Sequence, residues 1–256
     1  MQPSRSLLVL ILFLLCLSWT FGQSPAPSNY DSLAQAIVRE ALGSNHSYDL
    51  LHDLVTKVGH RLSGSPGDAK AVAWAKSTME RLGFANVRLE PVMVPKWVRG
   101  NVEEAFILHP DGKREKLNIV ALGGSIATPE EGITAGVVEI RSFEELRSLG
   151  AATKGKIVFF NRPMDRTLMH TFAAYGGAVN QRGRGAVEAA YAGGVAALVR
   201  SMTTRLDDVP HTGGMGYADS VTKVPAAAVS TVGAERLSAL LKEGRNIRLQ
   251  IKLSAQ

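Results

Sequence analysis

Four places in this 256-residue chain bring together side chains that could do chemistry. The first is Gly123-Gly-Ser-Ile-Ala127, where small residues around Ser125 approach the turn that lifts a nucleophilic serine from a strand end into a helix. Thr128-Pro-Glu-Glu-Gly132 follows, however, where such an elbow needs a helix packed on a sheet, so the segment reads as a glycine turn between strands. The second is Asp49, His52 and Asp53 on one predicted helix, with Asp49 and His52 three residues apart on a shared face. A metal site needs more donors than that pair, and no further ligand group is close in sequence, which favours a solvated helix face. The third is Asp207-Asp-Val-Pro-His-Thr-Gly-Gly-Met-Gly216, a glycine-rich loop whose His211 and two carboxylates could reach toward a ligand, against the plainer reading of a surface loop. The fourth, Arg182-Gly-Arg-Gly185, lacks both the third glycine and the later acidic ribose contact of a dinucleotide cradle. Of the other histidines, His170 stands alone in a loop and His109 precedes a proline turn.

These residues need elements to hold them. Between Lys154 and Ser201 the chain spells strand, loop, helix, strand. Lys156-Ile-Val-Phe-Phe160 is a buried strand, Arg182–Gly185 punctuates a loop, and Ala186 to Ala192 is a helix of small residues. Gly193-Gly194 stops that helix and Val195–Val199 is a second buried run, so a βαβ unit with parallel pairing is expected. Upstream, helices are predicted over Ser32–Leu42 with Asp31 as cap, Tyr48–Val58 with Ser47 as cap, and Pro66–Leu82. The last is the best marked, with Ser65 at the cap, Pro66 at the first position and Asp68 three residues on. A strand is predicted over Asn86–Val94, and Pro95–Gly100 is read as a boundary. Beyond it come strands over Val102–Leu108, Leu117–Leu122, Val137–Ile140, Pro225–Val229 and Ile247–Leu253, with helices over Phe143–Leu149 and Val232–Leu241.

Composition narrows the classes. The formal net charge is +6, but basic residues are spread along the chain, no run exceeds a pair, and aromatics are only 6%, which argues against nucleic acid as a partner. Arg5 followed by the apolar run Leu7–Leu17 and small residues reads as a secretory signal peptide over residues 1–22, rather than a membrane span. Cys16, the only cysteine, leaves with it, so the mature chain has no thiol chemistry. Asn45-His-Ser47 is an N-glycosylation acceptor in a eukaryotic host. From the residues alone, the chain is a secreted two-part α/β protein without a visible active site.

The central stretch resembles a protease-associated domain through Gly155-Lys-Ile-Val-Phe-Phe160, Ala186–Gly194, Val195–Val199 and Val224-Pro-Ala-Ala-Ala-Val229. The whole is similar to zinc-dependent exopeptidases of the carboxypeptidase Q family. The residues that carry the resemblance include Leu54-Val-Thr-Lys-Val-Gly-His-Arg-Leu-Ser-Gly-Ser65, Val94-Pro-Lys-Trp-Val-Arg-Gly100, Ser125–Ala135, Arg182–Ala190 and Pro210-His-Thr-Gly213. His60 is a departure, at a turn where proline is expected in the animal enzymes. The resemblance implies an α/β fold: the N-terminal part of a zinc-peptidase core, helices plus first strand, followed by an inserted protease-associated α/β domain. It divides the chain into signal peptide 1–22, a propeptide-like helical segment 23–46, peptidase part 47–96 and protease-associated domain 97–253.

Further implications concern activity. Two zinc ions would activate a water to hydrolyse dipeptides and peptide termini. The protein would be secreted or periplasmic, with a peptide substrate, no stable membrane span once the signal is removed, and a homodimer as the assembly. In that family the metal ligands and the base lie after the insert, so they are expected beyond Gln256, and the chain alone is expected to be inactive. The alternative is a stand-alone protease-associated module without catalysis. In either case His211 is the residue expected at a substrate cleft or lid.

Overall fold

The structure, a computed structural model, describes residues 29–256, which separate into two compact units, one ending at Val92 and the other Met93–Gln256. The expected signal peptide over 1–22, with Cys16, lies outside the described residues.

In the first unit, α1 (Asn29–Gly43) and α2 (His46–Asp53) are followed by a π-helical turn, Leu54–Val58, and by α3 (Pro66–Arg81). Asn45, not Ser47, occupies the α2 cap position, and without a side-chain cap bond. At α3 the capping signature holds: the Ser65 hydroxyl accepts from the Asp68 N–H at 3.2 Å, and the Asp68 carboxylate accepts from the Gly64 N–H at 2.9 Å. The Trp74 indole donates to Asp53 at 3.0 Å and so fastens α3 to the end of α2. Residues 86–94, predicted as a strand, form none. A strand is defined by its ladder, and this segment has no strand partner among the described residues. Its Leu89, Val92 and Val94 are exposed, as are Leu33 and Ile37 on α1 and Val72, Met79 and Leu82 on or after α3.

The second unit holds every buried hydrophobic residue of the described chain, from Ala105 to Ala255. Its eight strands are β1 (Glu103–Leu108), β2 (Arg114–Leu117), β3 (Ile119–Ala121), β4 (Ile133–Ile140), β5 (Ile157–Phe160), β6 (Ala196–Arg200), β7 (Ala226–Val229) and β8 (Arg248–Leu253). They form one mixed sheet in the order β2-β1-β8-β4-β5-β6-β7-β3. The β4-β5-β6-β7 stretch is parallel, as the βαβ pattern predicted for its centre, and Ile157 lies opposite Ala196. Helices α4 (Phe143–Leu149), α5 (Thr171–Ala178), α6 (Asn180–Tyr191) and α7 (Thr231–Lys242) complete the unit.

Side-chain alternation sorts this sheet into two faces. Ile157, Phe159, Leu198 and Val229 pack with Leu237 and Leu240 of α7, together with Leu249, Ile251 and Leu253 of β8. Val158, Phe160, Ala197 and Val199 pack with Leu146 of α4 and Ala174, Ala186 and Ala189 of α5 and α6. All four residues of β5 are buried, as expected for a strand covered on both sides.

Two expectations need correction here. Arg182–Gly185 is not a loop but part of α6, which starts at Asn180. Glycine weakens a helix by roughly 1 kcal/mol relative to alanine, but at Gly185 its bareness is used. A Cβ there would stand 3.2 Å from the Phe160 ring, so the helix can lie close on the sheet. The predicted strand Leu117–Leu122 is two strands split at Asn118: β2 pairs with β1 at one sheet edge, while β3 pairs with β7 at the other.

Candidate functional site

Two segments singled out separately in sequence meet in space. The Gly123 N–H donates to the Gly213 carbonyl at 2.9 Å, and the Met215 N–H donates to the Gly123 carbonyl at 2.8 Å, forming a short parallel bridge between Gly123 and Gly214. Gly124 adopts φ +96°, and a Cβ on it would fall 2.8 Å from the Met215 carbonyl oxygen, so the close approach depends on glycine. The Thr212 hydroxyl donates to the Ala121 carbonyl at 2.8 Å, and the His211 N–H donates to the Ser201 hydroxyl at 2.8 Å. The loop that carries His211 is therefore anchored to the ends of β3 and β6, with His211 half-buried.

Ser125 at this junction has no freedom to attack anything. It is 1% exposed, its hydroxyl accepts from the Ala226 N–H at 2.9 Å, and the same hydroxyl donates to the Ile126 carbonyl at 2.9 Å. It closes the first bond beyond the β7 ladder. Tyr217 completes the junction: it donates to the Val224 carbonyl at 2.6 Å and accepts from the Ile126 N–H at 3.2 Å. Burial raises its phenol pKa, which keeps it a neutral donor.

The two loop aspartates hold the loop in place, Asp208 through its exposed carboxylate and Asp207 chiefly through its backbone. Asp208 accepts from the Ser230 hydroxyl at 2.5 Å and from the Asn118 amide at 2.7 Å. Asp207 accepts from the Val209 N–H at 3.3 Å, and its own N–H donates to the Thr231 hydroxyl at 2.9 Å. They tie the loop to the β2–β3 corner and to the start of α7.

On α2, Asp53 is committed as well. It pairs with Lys57 at 2.5 Å and accepts from Trp74; its pKa is lowered, first by the Lys57 bond and then by the Trp74 bond. His52 stacks near Tyr48, with ring centroids 6.3 Å apart. Among the described residues, no group of three or more His, Cys, Asp or Glu side chains could hold a metal ion.

Sequence reading missed two polar clusters. Buried His109 lies 3.1 Å from Glu115, and Arg236 of α7 grips the same carboxylate with two bonds of 2.7 and 3.0 Å. The Arg236 bond is the main reason that the Glu115 pKa is lowered to about 2, with His109 contributing. The other cluster sits at the carboxyl ends of the parallel strands. Buried Arg200 bonds Asn161 at 3.1 Å and Glu235 at 2.7 Å, and the Asn161 amide donates to Glu139 at 2.7 Å. The available signal was the abrupt appearance of Asn161 and Arg200 after the apolar runs of β5 and β6.

Comparison with solved structures defines the class. A peptidase M28 precursor from Shewanella amazonensis superposes with a TM-score of 0.77 at 37% identity, over 88% of this chain and 50% of that one. An aminopeptidase from Aneurinibacillus sp. strain AM-1 shares the fold, with a TM-score of 0.56 at 19% identity, over 81% of this chain and 44% of its own. No protein-family model matches the chain.

Among curated proteins, carboxypeptidase Q of Xenopus laevis is 41% identical over 231 residues, 89% of this chain and 47% of that protein. Carboxypeptidase Q of Homo sapiens is 39% identical over 227 residues, 88% of this chain and 46% of its own. The chain is thus a homologue of carboxypeptidase Q and of an M28 peptidase, as the sequence resemblance implied, and it spans about half the length of the curated relatives it matches. The relatives are peptidases by name, and zinc is named in a Bacillus subtilis aminopeptidase that shares the fold at 19% identity. The donor set among the described residues does not suit a zinc ion.

Proposed function

We propose that this chain forms part of a secreted zinc-dependent exopeptidase that hydrolyses dipeptides and peptide termini. In this reading it contributes a helical portion of the peptidase core and an inserted protease-associated domain. The zinc ions, two in number, and the general base belong to the half of the relatives that the chain does not match, so the chain alone is inactive. Residues 1–22 act as the export signal, exposed Asn45 as a glycan acceptor in a eukaryotic host, and the assembly is a homodimer.

The observation that carries the insert reading is the way the second unit closes on itself. The Val98 N–H donates to the Gln256 carbonyl at 2.6 Å, and the Gln256 N–H donates to the Val98 carbonyl at 2.7 Å. The Ser254 hydroxyl accepts from the N–H groups of Asn101 and Val102, both at 2.9 Å. Gly100, at φ +77°, lets the two segments touch, since a Cβ there would fall 2.2 Å from that hydroxyl. A domain that starts and finishes at one spot can be carried within a host without disturbing it. The exposed apolar side chains of α1 and α3 fit the same reading, because they lack a covering layer in their own unit.

The purified chain is expected to hold well under stoichiometric zinc by atomic absorption and to release no amino acid from a dipeptide panel. Stoichiometric zinc with turnover would overturn the reading. Among the described residues the second unit owns all the buried apolar core, which favours the second reading, a self-sufficient binding or covering module with His211 on its working loop. Transcript sequencing separates the two: a reading frame that continues past Gln256 supports the peptidase, and a stop there supports the module.

A further inference from the structure

The parallel strands β4, β5 and β6 all end at one cavity of about 610 Å³. Its wall is built from Arg141 after β4, Arg162 and Arg166 after β5, Arg200 at the end of β6, and the carboxylates Asp165 and Glu235. Open α/β sheets bind their ligands in the crevice beyond the carboxyl ends of parallel strands. The charge here is unbalanced: four guanidinium groups face two carboxylates. Glu235 is taken by Arg200 at 2.7 Å, and Asp165 is turned to the Thr167 N–H and hydroxyl at 2.9 and 2.7 Å.

The arginines are left with unused donors. Arg162 bonds only the neutral amide oxygen of Asn180 through its side chain, and Arg141 and Arg166 have no side-chain partner among the described residues. The Nε groups of Arg162 and of Arg200, whose side chain is 5% exposed, are buried without any acceptor. A desolvated guanidinium with free donors favours a planar or tetrahedral oxyanion, which it can grip with two parallel bonds.

We propose that this cavity binds the oxyanion of a small organic molecule, a carboxylate or a phosphate. The site belongs to the second unit alone and stands independently of the peptidase reading. A neighbouring cavity of about 270 Å³ shares Met164 as a wall and is lined by Phe172, Tyr175 and Met202, so an apolar group attached to the anion has a place beside it.

Calorimetric titration of the full chain at low salt, with inorganic phosphate and separately with succinate, tests the proposal. At least one is expected to bind with a dissociation constant of about 1 mM or tighter, and the preferred one tells a phosphate ligand from a carboxylate. The double variant Arg141→Gln/Arg166→Gln removes two exposed, unpaired side chains and should weaken binding by about tenfold or more with an unchanged melting temperature. Lys113→Gln/Lys116→Gln removes the same charge from the β1–β2 hairpin and should bind as the parent does. Failure of both anions to bind below about 10 mM, or equal loss in the two double variants, would overturn the proposal.

Discussion

Glu115 shows how little of a residue's role its type announces. It lies on an edge strand in a charged run, Lys113-Arg-Glu-Lys116, that reads as solvated surface. In the fold it joins buried His109 to Arg236 and so ties the β1–β2 hairpin to α7. Its pKa falls from 4.5 to about 2, so its ionised form is favoured by folding. The stability this gives is fully present above about pH 4.5 and is lost as pH falls toward 2. Glu115→Gln should therefore cost about 0.5–1 kcal/mol at pH 7, and the gap to the parent should close as the pH of the thermal melts is lowered through that window. Ser125 was legible only as a near miss, and the missing information was its two bonds. Ser125→Ala would leave the buried Ala226 N–H without an acceptor and should cost about 1–3 kcal/mol in urea unfolding. The parent serine should remain unlabelled by a fluorophosphonate probe.

Elements were more legible than sites because burial and capping write themselves into local sequence. Ser65, Pro66 and Asp68 marked α3, and the predicted helix Phe143–Leu149 forms as α4 behind Ser142, whose hydroxyl accepts from the Glu145 N–H at 3.0 Å. The alternation of Ile247, Leu249, Ile251 and Leu253 marked β8, and all four are buried. The errors fell where tertiary contact overrode local preference. Gly183 and Gly185 looked like loop punctuation because nothing in sequence reveals that the Phe160 ring lies against the helix. At residues 86–94, an apolar pattern is not a strand without a partner. Gly194 gives a test at this scale. A Cβ there would lie 2.8 Å from Val158 Cγ2 and 3.1 Å from the Ala189 carbonyl, so Gly194→Ala should destabilise the second unit by about 1–3 kcal/mol in denaturant titration.

At the scale of the molecule, stability is unevenly divided. The first unit buries no hydrophobic residue among those described, and side chains such as Ile37, Met79 and Leu82, left in water, each forgo part of the roughly 1.5–3 kcal/mol of full burial. Limited trypsin digestion should cut within residues 29–92 first and leave a resistant core close to residues 93–256; equal resistance of both units would contradict this. Homology was legible from scattered motifs because they run in order along most of the chain. The oxyanion cavity was not, since its arginines are separated by up to 59 positions, Arg141 to Arg200, and converge only through the parallel strands.

The position of β8 sets a timetable for synthesis. The strand of this sheet that comes last in chain order, β8, lies between β1 and β4, in the interior of the sheet. Until Arg248–Leu253 arrives, the nascent domain is two half-sheets with facing unpaired edges, β1–β2 on one side and the parallel block on the other. Such edges invite pairing with other chains. The second unit therefore keeps both of those edges open until β8 emerges, and it closes around that strand.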